Sequence, residues 1–264
     1  MMPVLLPISA VIITLNGAKH LADTLACVDF CDERLVCDSG STDATIEIAR
    51  AAGARVEHQA FLGYGPQKQR AVESASHDWI LSLDDDEVLD SEAINAIRTL
   101  DLSNPTACWS IRRRTFIGSR ELRHGTWRAD RVVRLFHRRT AGFTSHIVHE
   151  RVRGYRLPTL LPGSMMHRSY DTCSDVIARS IQYARLKSEI MRRKKQRVHT
   201  WMLPLRACAI FSKSYFLQGG FRDGAAGFIV ALSRVIDSTL PRAMLLLGEP
   251  ACGDDGIATP IKHS

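Results

Sequence analysis

Asp78-Trp79-Ile80-Leu81-Ser82-Leu83-Asp84-Asp85-Asp86-Glu87 is an apolar run that reads as a buried strand and ends in four consecutive carboxylates. Like charges held this close repel one another and raise each other's pKa unless a cation compensates them. Asp84 and Asp86 flank one residue, so where the strand breaks into a loop both carboxylates can converge on one ion. Hard oxygen ligands suit Mg²⁺ or Mn²⁺, and Mg²⁺ keeps several waters while sharing its shell with substrate phosphates at about 2.1 Å. A substrate carrying a diphosphate follows from that chemistry. The competing reading is a solvated acidic turn, since Asp90 can cap Ser91-Glu92-Ala93-Ile94 and acids suit a helix N-terminus. It accounts for Asp90 and Glu92 and leaves Asp84 to Asp86 without a reason.

Outward from this stretch, strands and helices alternate. Ile8 to Leu15 is apolar and stops at Asn16-Gly17, Lys19 to Val28 has helical character, and Arg34 to Cys37 is a short second strand. Asp38-Ser39-Gly40-Ser41-Thr42-Asp43 follows, with Ser41 or Asp43 placed to cap a helix from Ala44 to Ala52 that closes at Gly53. Arg55 to His58 makes a third strand, and Gly65-Pro66 opens a helix through Ala75 that leads back to Asp78. This alternation predicts a parallel, doubly wound sheet, in which ligands bind beyond the carboxyl ends of the strands, where the Asn16, Asp38 and Asp84 segments all lie. A carboxylate at Asp38 can accept from a nucleobase N–H or a ribose hydroxyl, with the backbone N–H groups of its turn left free. Beyond Pro105 the pattern weakens into Arg-rich short strands and loops up to about His149. A helix from Ser174 follows, with Ile177, Ile181 and Ala184 on one face and Val176, Tyr183 and Ile190 close to it.

The chain has 264 residues, enough for one large α/β domain with an appended module. Seven cysteines form no paired CxxC spacing and are an odd number for a secreted disulfide framework, so a reducing cytoplasm is expected. Met1 to Asn16 lacks a basic leader and reads as a first strand rather than a signal peptide. A net charge of +7 points to an anionic partner, and the arginines between Arg112 and Arg139, with Arg192, Arg193, Lys194, Lys195 and Arg197, place that partner on the second half. Between Leu203 and Gly248 the apolar sequence is broken by charges, which suits helices packed on the main domain or amphipathic segments in a membrane interface.

Three stretches, ISAVIITLN (residues 8–16), VCDSGSTDAT (residues 36–45) and ILSLDDDEVLD (residues 80–90), resemble in order and spacing the nucleotide-sugar domain of glycosyltransferase family 2, inverting enzymes of the GT-A fold. FLGYGPQKQRA, HGTWRADRVVRLFHRR, IVHERV and GGFRDGAAGF extend the similarity over nearly the whole chain, toward bacterial lipopolysaccharide core β-1,4-glucosyltransferases. The resemblance implies a GT-A, Rossmann-like domain over residues 1–170, with a donor part to about residue 105 and an acceptor part after it. A helical, membrane-associating region would occupy residues 171–264. It implies that Asp38 contacts the base of a nucleoside diphosphate sugar such as a UDP-sugar, that Asp84 lies near the ribose, and that Asp86, with Asp84, ligates the metal. Thr14 and Asn16 would line the base pocket, and Lys68, ahead of Arg70, would reach the donor. Asp85 departs from the small residue usual between the two motif aspartates.

Inverting transfer needs a general base opposite the metal, and Glu150 is the expected one, with Asp130 as rival. His146 and His149 are read as core or hydrogen-bonding residues and assigned no metal. Two other classes account for part of these residues. A haloacid dehalogenase-type phosphotransferase fits Asp84-Asp85-Asp86-Glu87-Val88, with Gly253-Asp254-Asp255 as a late acidic motif, but leaves the Asp38 turn without a purpose. A non-enzymatic basic protein binding membrane or nucleic acid explains the arginines and not the carboxylates, and no nucleic-acid module accompanies the charge. The expectation is a metal-dependent hexosyltransferase, peripheral on the inner face of the cell membrane, with a phosphorylated glycolipid acceptor and no nucleic-acid partner.

Overall fold

A computed structural model of the chain describes residues 5–128, 130–146 and 150–249; His149, Cys252 and Gly253 to Asp255 lie outside them. Side chains of the first strand, β1 (Leu6–Thr14), alternate between two cores, as the two-residue period of a strand requires. Ile8, Ala10 and Ile12 join one and Val11 the other. A strand buried on both faces belongs in the middle of a sheet covered by helices on each side.

The elements that follow supply that cover: α1 (Leu21–Ala26), β2 (Cys31–Asp38), α2 (Thr45–Ala51), β3 (Arg55–His58), α3 (Tyr64–Ser74), β4 (Trp79–Asp84), β5 (Glu87–Leu89) and α4 (Ser91–Arg98). Leu21 and Leu25 of α1, Ala49 of α2 and Ala93 and Ile97 of α4 pack on the Ile8 face, and Ala71 and Val72 of α3 on the Val11 face. β1 pairs in parallel with both β2 and β4, and β2 with β3. The chain therefore runs outward from β1 to β3 and returns to β1's other side as β4, so strand direction of growth reverses at β1. Register places Thr14 beside Asp38 and Ile13 beside Asp84 at the carboxyl ends.

The segment after Pro105 holds long strands as well as the short ones expected. β6 (Cys108–Ile117), the two-residue β7 (Arg120–Glu121) and β8 (Asp130–His137) are followed by a small antiparallel pair, β9 (Gly142–Phe143) and β10 (Val152–Arg153), and by the twelve-residue β11 (Thr159–Tyr170). The main sheet runs β3-β2-β1-β4-β8-β6-β11-β5, with β8 antiparallel to β4 and β11 antiparallel to β5. Trp109, Ile111 and Leu135 face one core and Cys108 and Phe136 the other, so these strands carry the same two-sided burial as β1. Their arginines, of which only Arg112 and Arg131 are exposed and Arg134 is buried, hid that period in the sequence.

The chain clusters into two compact units. One draws on the chain up to Arg114 together with Asp130–Arg168, the other on the segment between those two and on the chain from Ser169 onward. In the second, α5 (Cys173–Arg193) begins in a capping box made by Thr172 and Asp175. Its most buried stripe is Val176, Ser180, Ala184 and Ser188, a row of mostly small residues against α7 (Ala225–Leu246), while Ile177 and Ile181 are half-buried. Between them lie α6 (Met202–Ser212), a π-helical turn Lys213–Leu217 and a 3-10 turn Gly220–Asp223. Buried Asp223 accepts from the backbone N–H groups of Arg123 (3.0 Å) and His124 (2.8 Å) and meets the His124 ring at 2.8 Å. A Cβ on Gly227 would stand 1.8 Å from the Gly220 carbonyl oxygen, so α7 can start against that turn only with glycine there.

Candidate active site

The first unit gathers its buried charged groups at the carboxyl ends of β1, β2 and β4. Asp84, the last residue of β4, has one carboxylate oxygen 2.6 Å from the Lys68 ammonium and the other 3.0 Å from the Arg134 guanidinium. Lys68 also stands 2.8 Å from the Glu150 carboxylate and is only 4% exposed, so the helix α3 directs it inward rather than to solvent. Arg134, 2% exposed, donates a second bond to Glu87. Burial would pull the Lys68 pKa down, but Asp84 and Glu150 outweigh it and push it up. Burial likewise works to raise the Asp84 pKa, and Lys68 and Arg134 overcome it and hold the carboxyl well below the usual range.

Glu87 accepts from the backbone N–H of Asp84 at 3.1 Å, and register with β11 sets it opposite His167. His167 lies 3.5 Å from the Asp86 carboxylate, and its pKa is pushed down by burial, against the pull of Asp86 and Glu87. Asp85 turns the other way: its carboxylate accepts from the Thr14 hydroxyl and its carbonyl from that of Thr24 at 2.9 Å. Gly17 completes this corner, because a Cβ there would fall 2.3 Å from the Asp85 carboxylate. Asp85 thus ties the β4 turn to the end of β1.

Asp38 is 1% exposed and accepts from the backbone N–H groups of Gly40 (2.8 Å) and Ser41 (3.0 Å) and from the Ser41 hydroxyl. The N–H groups of Gly40 and Ser41, expected to be free, are therefore spent on the carboxylate that opens the turn. Asn16, at φ 56°, donates its backbone N–H to Ser41 Oγ at 2.8 Å and accepts from Thr42 N–H at 2.8 Å, joining the β1 and β2 turns. Helix α2 has no side-chain cap at its own N-cap residue, Ala44; Asp43 instead receives the Thr45 N–H at 3.1 Å. Asp90 caps α4 through the Ala93 N–H at 2.9 Å.

Glu150 is brought in by a close approach. Gly65 N–H donates to the His146 carbonyl at 3.1 Å, and a Cβ on Gly65 would lie 2.1 Å from the Thr144 carbonyl oxygen. Asp130 sits apart from the Lys68 pair, in a two-bond contact with Arg113 (3.1 and 2.9 Å), and its side chain is half exposed. Sequence reading passed over Gln67, Glu87, Arg134 and His167. Glu87 was visible as the last of four carboxylates; Gln67, wholly buried and bonded to the Gln59 carbonyl (3.0 Å) and Ser39 hydroxyl (3.2 Å), carried no local signal.

Carboxylates and two buried cations thus gather at the carboxyl ends of strands where the sheet's order of growth reverses, the place at which open α/β sheets bind their ligands. The model of the family described as Glycosyl transferase family 2 matches residues 9–159, and the chain belongs to that family. It is 29% identical over 248 residues, 91% of this chain and 92% of the relative, to the lipopolysaccharide core biosynthesis glycosyltransferase LpsC of Rhizobium meliloti. It is 27% identical to an uncharacterized glycosyltransferase of Rickettsia conorii over 84% of this chain and 83% of that one. Glucosyl-3-phosphoglycerate synthase of Mycobacterium tuberculosis overlaps 42% of this chain and 44% of its own at 26% identity and a TM-score of 0.32, too partial to transfer a site or a ligand. The architecture is the GT-A type with C-terminal helices. Asp84 also ends the fourth strand of the chain, not the first, unlike the leading motif of a haloacid dehalogenase.

Among the described residues, Asp84, Glu87 and His167 each offer a ligand atom within 4.8 Å of the others. Two carboxylates and an imidazole fit a divalent ion, the oxygens favouring Mn²⁺ or Mg²⁺. Such an ion has to share Asp84 with Lys68 and Arg134, each of which holds one of its oxygens. The expected pair is Asp84 and Asp86; Asp86 is not among these three residues, and its carboxylate stands 3.5 Å from the His167 ring.

Proposed function

We propose that this enzyme is an inverting glycosyltransferase that moves a sugar, with UDP-glucose as the first candidate donor, to a phosphorylated glycolipid of the lipopolysaccharide inner core at the inner face of the cell membrane. The observation that carries the reading is the juxtaposition of Thr14, Asp38 and Asp84 at neighbouring ends of parallel strands, with Glu150 joined to Asp84 through Lys68. The acceptor class is supported by the lipopolysaccharide relative, which aligns along almost its whole length.

In this reading Thr14, Asn16 and the Asp38 turn receive the base and ribose. Lys68 and Arg134, the buried cations, hold Asp84 and oppose the negative charge of the diphosphate. Asp84 and Asp86, with Glu87 and His167 as further donors, would hold a divalent ion, which when bound would supply positive charge opposite the leaving diphosphate. Glu150 takes the proton of the acceptor hydroxyl as that oxygen bonds to the anomeric carbon and the carbon's bond to the diphosphate breaks on the opposite face. Asp130, bonded by both oxygens to Arg113, is the weaker candidate for that role.

The test is a panel of nucleotide sugars titrated into the purified protein with Mg²⁺, Mn²⁺ or chelator, followed by transfer to deacylated inner-core acceptors. Selective, metal-dependent binding of one donor and a product of inverted anomeric configuration are expected. Retained configuration, or binding indifferent to the nucleotide, overturns the reading.

A further inference from the structure

Between Glu189 and Asp223 the chain has no Asp or Glu, and every charged side chain is Lys or Arg. Within this stretch lies α6, and none of its residues is buried, although its sequence, MLPLRACAIFS, is mostly apolar. Leu203, Ala207, Ile210 and Phe211 are half-buried, which accounts for one side of the helix; the apolar residues on its other side have no reason to be apolar unless something else covers them.

The exposed side chains are not scattered. Trp201, Leu205 and Ala209 fall four residues apart on one side of α6, and Met202 lies beside them. Phe216 and Leu217 in the π-helical turn and Phe221 in the 3-10 turn continue the exposed apolar surface. Trp201 is 65% exposed, Leu205 62% and Leu217 83%, values that water-facing positions of a folded unit normally give to polar residues. The other side of this element is anchored: the Phe211, Tyr215 and Phe228 rings pack edge to face or tilted at 5.3 to 5.9 Å, and Arg206 donates to the Ser238 hydroxyl at 2.8 Å. The surface is therefore held in place with its apolar groups outward.

Cations border it. Arg192 and Arg193 are paired with Glu189, but Lys194, Lys195, Arg197, Lys213 and Arg222 have no carboxylate partner among the described residues. Tryptophan, phenylalanine and leucine outward, lysine and arginine at the margins and no acid in between is the composition of an element that lies in the headgroup region of an anionic bilayer. No helix among the described residues is long and apolar enough to cross one.

We propose that α6 and the two turns after it form an interfacial membrane anchor, inserting Trp201, Leu205, Phe216 and Leu217 at the boundary between headgroups and acyl chains of anionic phospholipid while Lys194, Lys195 and Arg197 meet the headgroups. It deepens the glycolipid-acceptor reading by naming the element that brings the enzyme to its acceptor's surface, and its test is independent of transfer. A second copy of this chain would also cover an apolar face, but two such faces would bring the uncompensated cations together, which disfavours that occupant.

The full chain is mixed with vesicles of phosphatidylcholine alone or with phosphatidylglycerol, and binding is read by flotation. Trp201 fluorescence is read with brominated lipid, with W201F identifying the signal. Binding to the phosphatidylglycerol vesicles is expected, with a blue shift and quenching that W201F removes. L205E/F216E should lower partitioning at least tenfold, and K194Q/K195Q/R197Q should flatten its salt dependence, both with unchanged UDP binding. Absence of quenching at Trp201 in bound wild-type protein overturns the proposal, as does a concentration-dependent dimer in sedimentation that L205E/F216E abolishes. If transfer to inner-core acceptor fails while vesicle binding and quenching persist, the activity reading falls and the anchor stands.

Discussion

At Glu150 and Asp86 two carboxylates of the same site should fail in different ways. Glu150 is tied to the protein through Lys68, and a base acts on the acceptor proton only in the transition state. Glu150→Gln is therefore expected to leave donor affinity nearly unchanged while turnover collapses, measured as calorimetric binding of the donor beside single-turnover transfer. Equal weakening of both would make Glu150 a support for Lys68, and Asp130→Asn the next variant to make. Asp86, 1% exposed, stands 3.5 Å from His167, one of the three residues able to hold an ion, and under the proposed function it is a ligand of that ion. Asp86→Ala should cost at least about 10²-fold in turnover and remove the metal dependence of UDP binding, as loss of a principal electrostatic stabiliser does. Near-normal activity with unchanged metal response would reassign the ion to Asp84, Glu87 and His167 alone.

Elements meet through single residues whose partners lie far along the chain. Gly65 allows α3 to touch the loop that carries Glu150, so Gly65→Ala drives a methyl toward the Thr144 and His146 carbonyl oxygens, at 2.1 and 2.6 Å. Overpacking of this kind costs about 1 to 3 kcal/mol, and here the strain falls on the position of the base. The expected signature is a fall in kcat larger than the change in donor affinity, with only a small loss of melting temperature. Glu33, on β2, joins four segments: its carboxylate accepts from Ser9 of β1, from the Arg55 guanidinium of β3 (2.7 Å) and from the Ser76 N–H (2.6 Å) ahead of β4. Burial would raise its pKa, but these donors lower it to about 2. Because the folded value lies below the unfolded one, the stabilisation is fully present above the ordinary carboxylate range and is lost as pH falls toward 2. Glu33→Gln should cost about 1 to 3 kcal/mol at pH 7 in urea unfolding, with the gap narrowing between pH 5 and pH 3. A gap constant with pH would mean that shape rather than charge is what Glu33 contributes.

For the whole molecule, the two compact units predict two separate footprints in hydrogen exchange. UDP with Mn²⁺ should slow exchange around residues 14–18, 38–43 and 84–87 and leave residues 201–222 unchanged, and anionic vesicles should do the reverse. Nucleotide protection confined to residues 201–222 would place the donor elsewhere.

Residues 8 to 84 announced their own arrangement, because a two-residue strand period and a 3.6-residue helix period are local, and so are the punctuating turns at Asn16, Asp38 and Asp84. The family resemblance added roles to those same positions. What neighbours lack in sequence they find only through pairing: Arg134 reaches Asp84 because β8 lies antiparallel to β4, and His167 faces Glu87 because β11 pairs with β5. A one-residue slip in either register would turn these side chains to the opposite face of the sheet, and nothing within β8 or β11 alone states that register. The turn at Asp38 shows the same limit, since its own sequence placed the carboxylate but not the N–H groups that close on it. Sequence by itself determined the class of fold, the family and the acidic end of β4. Tertiary structure decided which charges meet there, because a buried ion pair depends on distances of a few ångströms between residues tens of positions apart.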